Sequence, residues 1–123
     1  MEKALRILAI IGALPLALIA LRWVFDPSGA AEGLQMTLLD GAARNSQIGD
    51  TTALFFGLGF LSLYGIFKEK RDFLYAATFV LAIIAVARVL AGLVHDAPTI
   101  WEFVTIEVVT VALWVAHARN MKS

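Results

Sequence analysis

"AVARVLAGLVHDAPTIWEFVTIEVV", residues 85–109, joins two apolar runs through a five-residue polar turn and sinks one charge into each run, Arg88 and Glu107. A turn that short leaves the flanking segments one geometry, an antiparallel hairpin. Crossing the hydrocarbon core of a bilayer takes about 20 mostly apolar residues. Extended in both directions, the two runs become candidate spans 73–94 and 100–116. Two more stand upstream at 5–25 and 51–67, and a second tight turn, "KEKRD" (68–72), links the latter to 73–94. The spans at 51–67 and 100–116 are short, 17 residues each, yet inside the accepted range. The expected fold is all-α: a transmembrane four-helix bundle running up-down-up-down, with residues 1–123 as a single integral membrane domain.

Composition points the same way. The chain has 123 residues, 60% of them apolar and only 16% charged, against about 45–50% and 25% in soluble domains. So small a domain has too much surface to hide that apolar fraction from water, so the lipid bilayer is the expected partner. Net charge is zero, which gives no footprint for nucleic acid. The absence of cysteine excludes thiol redox chemistry, disulfides, Cys-ligated zinc and iron–sulfur clusters. The opening "MEKALRILAIIGALPLALIALRW" has the basic start and apolar core of a signal peptide, but Leu18 stands where a cleavage site wants a small residue. It reads as a retained first span, loosened or bent by Pro15.

Loop charges orient the spans. Lys3, Arg6, Lys68, Lys70, Arg71, Arg119 and Lys122 fall on one side, and only Arg22 and Arg44 on the other. Both termini and the 68–72 turn are therefore expected in the cytoplasm. The connection 26–50, "DPSGAAEGLQMTLLDGAARNSQIGD", is the one long segment outside the spans. On a helical wheel Ala31, Leu34, Leu38 and Ala42 fall together, opposite Glu32, Asp40 and Arg44. That pattern suits a short amphipathic helix at the interface between the first two spans. An irregular loop suits the weakening glycines Gly33 and Gly41 equally well.

Arg88 lies about 9 Å below the outer end of its span and Glu107 about 10 Å below the start of the next. In an antiparallel hairpin they arrive at one depth, so each charge explains the other. Arg88 shares its helix side with Ala77, Leu81, Ala85 and Gly92, the small-residue pattern of a packing face. Phe79, Ile83, Val86 and Leu90 point away; Glu107 goes inward with Phe103, Thr110 and Trp114. Asp50 opens the second span on a face with Ala53, Gly57 and Leu61, and Arg22 sits near the outer end of the first. The expected site is a polar cluster of Arg22, Asp50, Arg88 and Glu107, with Gln47 and His95 at its mouth. Two roles stay open for it: a clamp fixing which helices meet, or a site that binds or moves something. Trp23 and Trp101 fit an interfacial belt, and Trp114 falls on the inward face.

Neither His95 nor His117 suits a metal or haem, since they belong to opposite ends of the bundle. No nucleophile and base stand together: Ser62 has no histidine or lysine at its depth, and Thr105 and Thr110 can bond their own helix backbone. No cofactor is expected, and no enzymatic activity. The leading expectation is an accessory or structural membrane protein that self-associates or joins a larger membrane complex through small-residue faces such as Ala53–Gly57. The alternative is a small transporter or ligand-binding protein using the cluster around Arg88 and Glu107.

The order of features resembles a group of bacterial domain-of-unknown-function families, small integral membrane proteins with four helices. The resemblance lies in "WVFDPSGA" (23–30), the Gly-rich "IGDTTALFFGLGF" (48–60), "ARVLAG" (87–92) and a fourth span carrying Glu107. It covers most of the chain and implies a four-helix bundle in a bacterial inner membrane, with no activity or binding residue attached. Small multidrug antiporters share the length and span count but depend on a glutamate in the first span, which is absent here. Four-helix membrane thiol oxidoreductases need paired cysteines.

Overall fold

The computed structural model describes residues 1–121. It contains, in order, α1 (Glu2–Phe25), α2 (Pro27–Gly33), α3 (Gly41–Phe67), α4 (Arg71–Val94) and α5 (Trp101–Arg119). All but α2 are long and apolar enough to cross a membrane. α1 runs unbroken through Pro15, which faces outward; the missing N–H removes one rung of the helical ladder.

The connection between the first two spans differs from the wheel pattern. Its short helix is α2, at Pro27–Gly33 rather than 31–44, so Leu34, Leu38 and Ala42 do not share a helix. The start signal lies in Asp26 and Pro27: the Asp26 carboxylate accepts the Gly29 N–H at 3.2 Å, and proline suits the first helical turn. Gly33 closes α2, and the chain turns through Gln35 in the left-handed region, φ 59°. Ala30 and Ala31 bury themselves against Ala20, Trp23 and Phe55, so α2 closes one end of the α1–α3 pair. Trp23, expected at the interface, is wholly buried in that cluster.

α3 begins at Gly41, ten residues before the expected span, and its 27 residues extend about 40 Å against a hydrocarbon core of about 30 Å. Hydropathy detects only the portion that suits lipid; the polar first turns (Arg44, Asn45, Ser46, Gln47) are helical but outside that signal.

The four long helices close into a ring. α1 packs on α3 and α5, and α4 packs on the same two, leaving α1 facing α4 and α3 facing α5 across the diagonals. Small residues set the closest crossings, as membrane helices require. A Cβ on Gly59 would sit 2.9 Å from the Cα of Ala17, and one on Gly65 would sit 2.7 Å from the Leu74 nitrogen. The main core gathers Ala9, Ala13, Leu58, Leu74, Ala77 and Trp114. Trp114 is wholly buried and donates Nε1–H to the Ala9 carbonyl at 3.1 Å, tying α5 to α1.

On α4 the small face Ala77, Leu81 and Ala85 is buried while Phe79, Ile83, Val86 and Leu90 are exposed. On α3 the wheel reading is rotated. Asp50 and Ala53 are exposed, and a Cβ on Gly57 would meet nothing within 4 Å. The inward face is Phe55, Leu58, Gly59, Ser62, Gly65 and Ile66. Gly59 and Gly65 admit neighbouring backbones, and the Ser62 hydroxyl satisfies itself by donating to the Leu58 carbonyl at 2.6 Å.

Candidate functional site

The turn between α4 and α5 sets the register of the two half-buried charges, Arg88 and Glu107. Asp96 takes a left-handed conformation, φ 54°, and the Ala97 N–H returns to the Ala91 carbonyl at 3.2 Å. Thr99 then folds over Gly92, where any Cβ would strike its hydroxyl, and that hydroxyl donates to the Arg88 carbonyl at 3.3 Å. Arg88 is six residues before the end of α4 and Glu107 six after the start of α5, each about 9 Å along its axis.

The two side chains meet. Arg88 Nε donates to both oxygens of Glu107, at 3.0 Å to Oε1 and 2.9 Å to Oε2. The Arg88 side chain is 24% exposed and that of Glu107 12%. Phe103, one turn before Glu107, lies under the guanidinium with its ring centroid 5.0 Å from Cζ, adding a cation–π contact to the ion pair. The single Nε–H of Arg88 thus bridges both oxygens of Glu107. The Arg88 Nη groups make no hydrogen bond among the described residues, so their edge is the open side of the pair.

The other four residues of the expected cluster do not join it. Arg22 pairs with Asp26 one turn away, at 3.6 Å, with both side chains more than half exposed. Asp50 is exposed and forms no ion pair among the described residues; the rotation of α3 carries it outward. Gln47 serves the connection before α3, accepting the Leu39 N–H at 2.9 Å and donating to the Thr37 carbonyl at 3.2 Å. His95 is the C-cap residue of α4, exposed, and makes no side-chain hydrogen bond among the described residues. Arg22 and Gln47 are thus satisfied by local partners, while Asp50 and His95 stay exposed.

Two features of the opposite end escaped the sequence reading. Arg71 Nε donates to the Ala118 carbonyl at 2.9 Å, and its Nη2 donates to the Met121 carbonyl, so the first residue of α4 caps the C-terminus of α5. Its signal was the basic turn 68–72, whose charge indicated sidedness but not a target. His117 is buried, with its Nδ1 neither solvated nor hydrogen-bonded.

The cavities in the surface of the bundle include two of different character. One, of about 270 Å³, is an apolar groove along α4 lined by Phe79, Ile83, Val86 and Leu90. The other, of about 150 Å³, is polar and lies around His117. Neither is lined by Arg88 or Glu107. Among the described residues no three His, Asp or Glu side chains are placed to hold a metal ion.

Four apolar helices in an antiparallel ring, with a half-buried ion pair between α4 and α5, define a multi-pass membrane protein. The chain belongs to the family described as "Domain of unknown function (DUF4345)", whose model matches residues 4–117. Neither a curated protein nor a solved structure matches it.

Proposed function

We propose that the protein is a non-enzymatic accessory subunit that works by helix association, seated in a bacterial inner membrane with both termini cytoplasmic. The observation that carries this reading is the Arg88–Glu107 pair: the Arg88 Nε–H bridges both carboxylate oxygens and the guanidinium stacks on Phe103 of the same helix as Glu107. A pair so engaged holds α4 to α5 and leaves the outer faces of the bundle as the interacting surfaces. Among those faces, α3 offers Gly49, Ala53 and Gly57 on one side, with open space above both glycines. Such a stripe lets a second helix approach its backbone closely. Sidedness rests on seven Lys and Arg against two in the loops, and the bacterial assignment on the resemblance stated above.

The absence of cysteine makes the test clean. Ala53→Cys and, as a lipid-facing control on α4, Ile83→Cys are each oxidised in native membranes. A disulfide-linked dimer for Ala53→Cys alone, abolished by adding Gly57→Leu, is the expected result. Equal cross-linking at both positions, or none at Ala53→Cys, overturns self-association through this face.

The second reading, a small transporter or ligand-binding protein, draws its support from the open Nη edge of Arg88. A ligand there would need to engage that edge without displacing Glu107.

A further inference from the structure

We propose that the end of the bundle where the α1 N-terminus meets the α5 C-terminus binds a lipid headgroup carrying both a phosphate and a primary amine. The cavity of about 150 Å³ at that end is lined by Glu2, Lys3 and Arg6 of α1, Glu69 of the α3–α4 turn, and His117 of α5. At about 30 Å³ per water molecule it has room for roughly five waters, and so for a small polar group. His117 is 8% exposed and its Nδ1 has no partner. That nitrogen is sealed from the cavity, so the charged groups offered to an occupant are those of Glu2, Lys3, Arg6 and Glu69.

The lining is amphoteric, and that selects the ligand class. Lys3 and Arg6 offer charged donors suited to phosphate oxygens, and Arg6 is held in place by its stack over Phe67, 5.8 Å from Cζ to the ring centroid. The free amides in the first turn of α1 add the positive end of a helix dipole. The opposing negative end of α5 is muted, because Arg71 occupies the carbonyls of Ala118 and Met121. A bare phosphate would nevertheless face Glu2, and a bare cation would face Lys3 and Arg6. A group with a phosphate and an ammonium a few ångströms apart meets both signs, its amine donating to Glu2. The site also lacks the ligand set of a metal centre among the described residues.

The position favours a lipid over a soluble molecule. The cavity lies at the ends of membrane-spanning helices, the level at which headgroups sit. Lys3 begins a stripe at helical spacing through Ile7, Ile11, Leu14 and Leu18, all exposed apolar side chains on α1. An acyl chain can follow that stripe into the bilayer while its headgroup occupies the cavity.

The test uses the intact protein in mild detergent, with lipids of one acyl composition carrying ethanolamine, choline or glycerol headgroups. Retention is read by native mass spectrometry and the melting temperature by thermal unfolding. The ethanolamine lipid is expected to bind about tenfold more tightly than either other lipid, since choline has no N–H and glycerol no cation. Lys3→Gln with Arg6→Gln should abolish its retention, and Glu2→Gln should erase the preference for ethanolamine over glycerol. The melting temperatures of these variants without added lipid report whether they remain folded; Lys3→Gln alone, at an exposed position, serves where the double variant does not. Equal retention of all three lipids, or full retention by the folded Lys3→Gln variant, overturns the proposal. Soluble phosphoethanolamine matching the lipid at equal concentration would overturn the assignment to a membrane lipid.

Discussion

The clamp reading of Arg88 and Glu107 makes a quantitative prediction through a double-mutant cycle. Glu107→Leu strips Arg88 of both its hydrogen-bond acceptors. A lone arginine at the centre of a membrane helix costs about 2.5–3.5 kcal/mol, but Arg88 is about 9 Å from the end of α4 and can extend its free Nη edge outward. About 2 kcal/mol is therefore the expected loss. Arg88→Leu leaves Glu107, 12% exposed, with no donor and a side chain too short to reach the interface, for a loss of about 2 kcal/mol or somewhat more. Replacing both removes each charge together with its desolvation penalty, so the double variant should lose only about 1 kcal/mol, through imperfect packing. Two single losses of about 2 kcal/mol against a double loss of about 1 leave a coupling of about 3 kcal/mol. Ordinary hydrogen bonds between membrane helices average about 0.6 kcal/mol, so that coupling would mark the pair as more than an incidental polar contact. Reversible unfolding by SDS titration in mixed micelles measures all four proteins. A coupling below about 0.5 kcal/mol, with the double variant as unstable as the two singles combined, would refute the reasoning.

Two further outcomes follow from the packing. Gly59→Ala places a Cβ 2.9 Å from both Cα and Cβ of Ala17, and should cost about 1–3 kcal/mol by overpacking in the same SDS titration, whereas Gly49→Ala, with nothing within 4 Å, should be neutral or slightly stabilising. Arg71→Gln removes the hydrogen bonds to the Ala118 and Met121 carbonyls; it should cost about 1–2 kcal/mol and speed amide exchange in the last turn of α5, with unchanged exchange in that turn counting against the capping role.

Apolar length and loop length are local properties, and they carried the architecture. Lipid asks a helix only to be apolar for about 20 residues, so four spans were visible without knowledge of any contact. The two tight turns, 68–72 and 95–99, then forced antiparallel neighbours. Arg88 and Glu107 were legible as a pair because the second of these turns ties their depths together and neither charge is stable alone in hydrocarbon. What exceeded the sequence was rotation and reach. α3 carries two small-residue faces, Asp50–Ala53–Gly57 and Gly59–Ser62–Gly65, and a wheel cannot say which will turn inward. Only the fit of Gly59 against Ala17 and Gly65 against Leu74 decided it, and that choice sent Asp50 away from Arg88. The helical start at Gly41 was hidden because polar residues can be helical without being apolar. Arg71 on the α5 carbonyls, and His117 beside Arg6 and Glu2, join residues about 50 to more than 100 positions apart. Such contacts exist only once the ring has closed, because its closure brings the α1 N-terminus, the α3–α4 turn and the α5 C-terminus to one end.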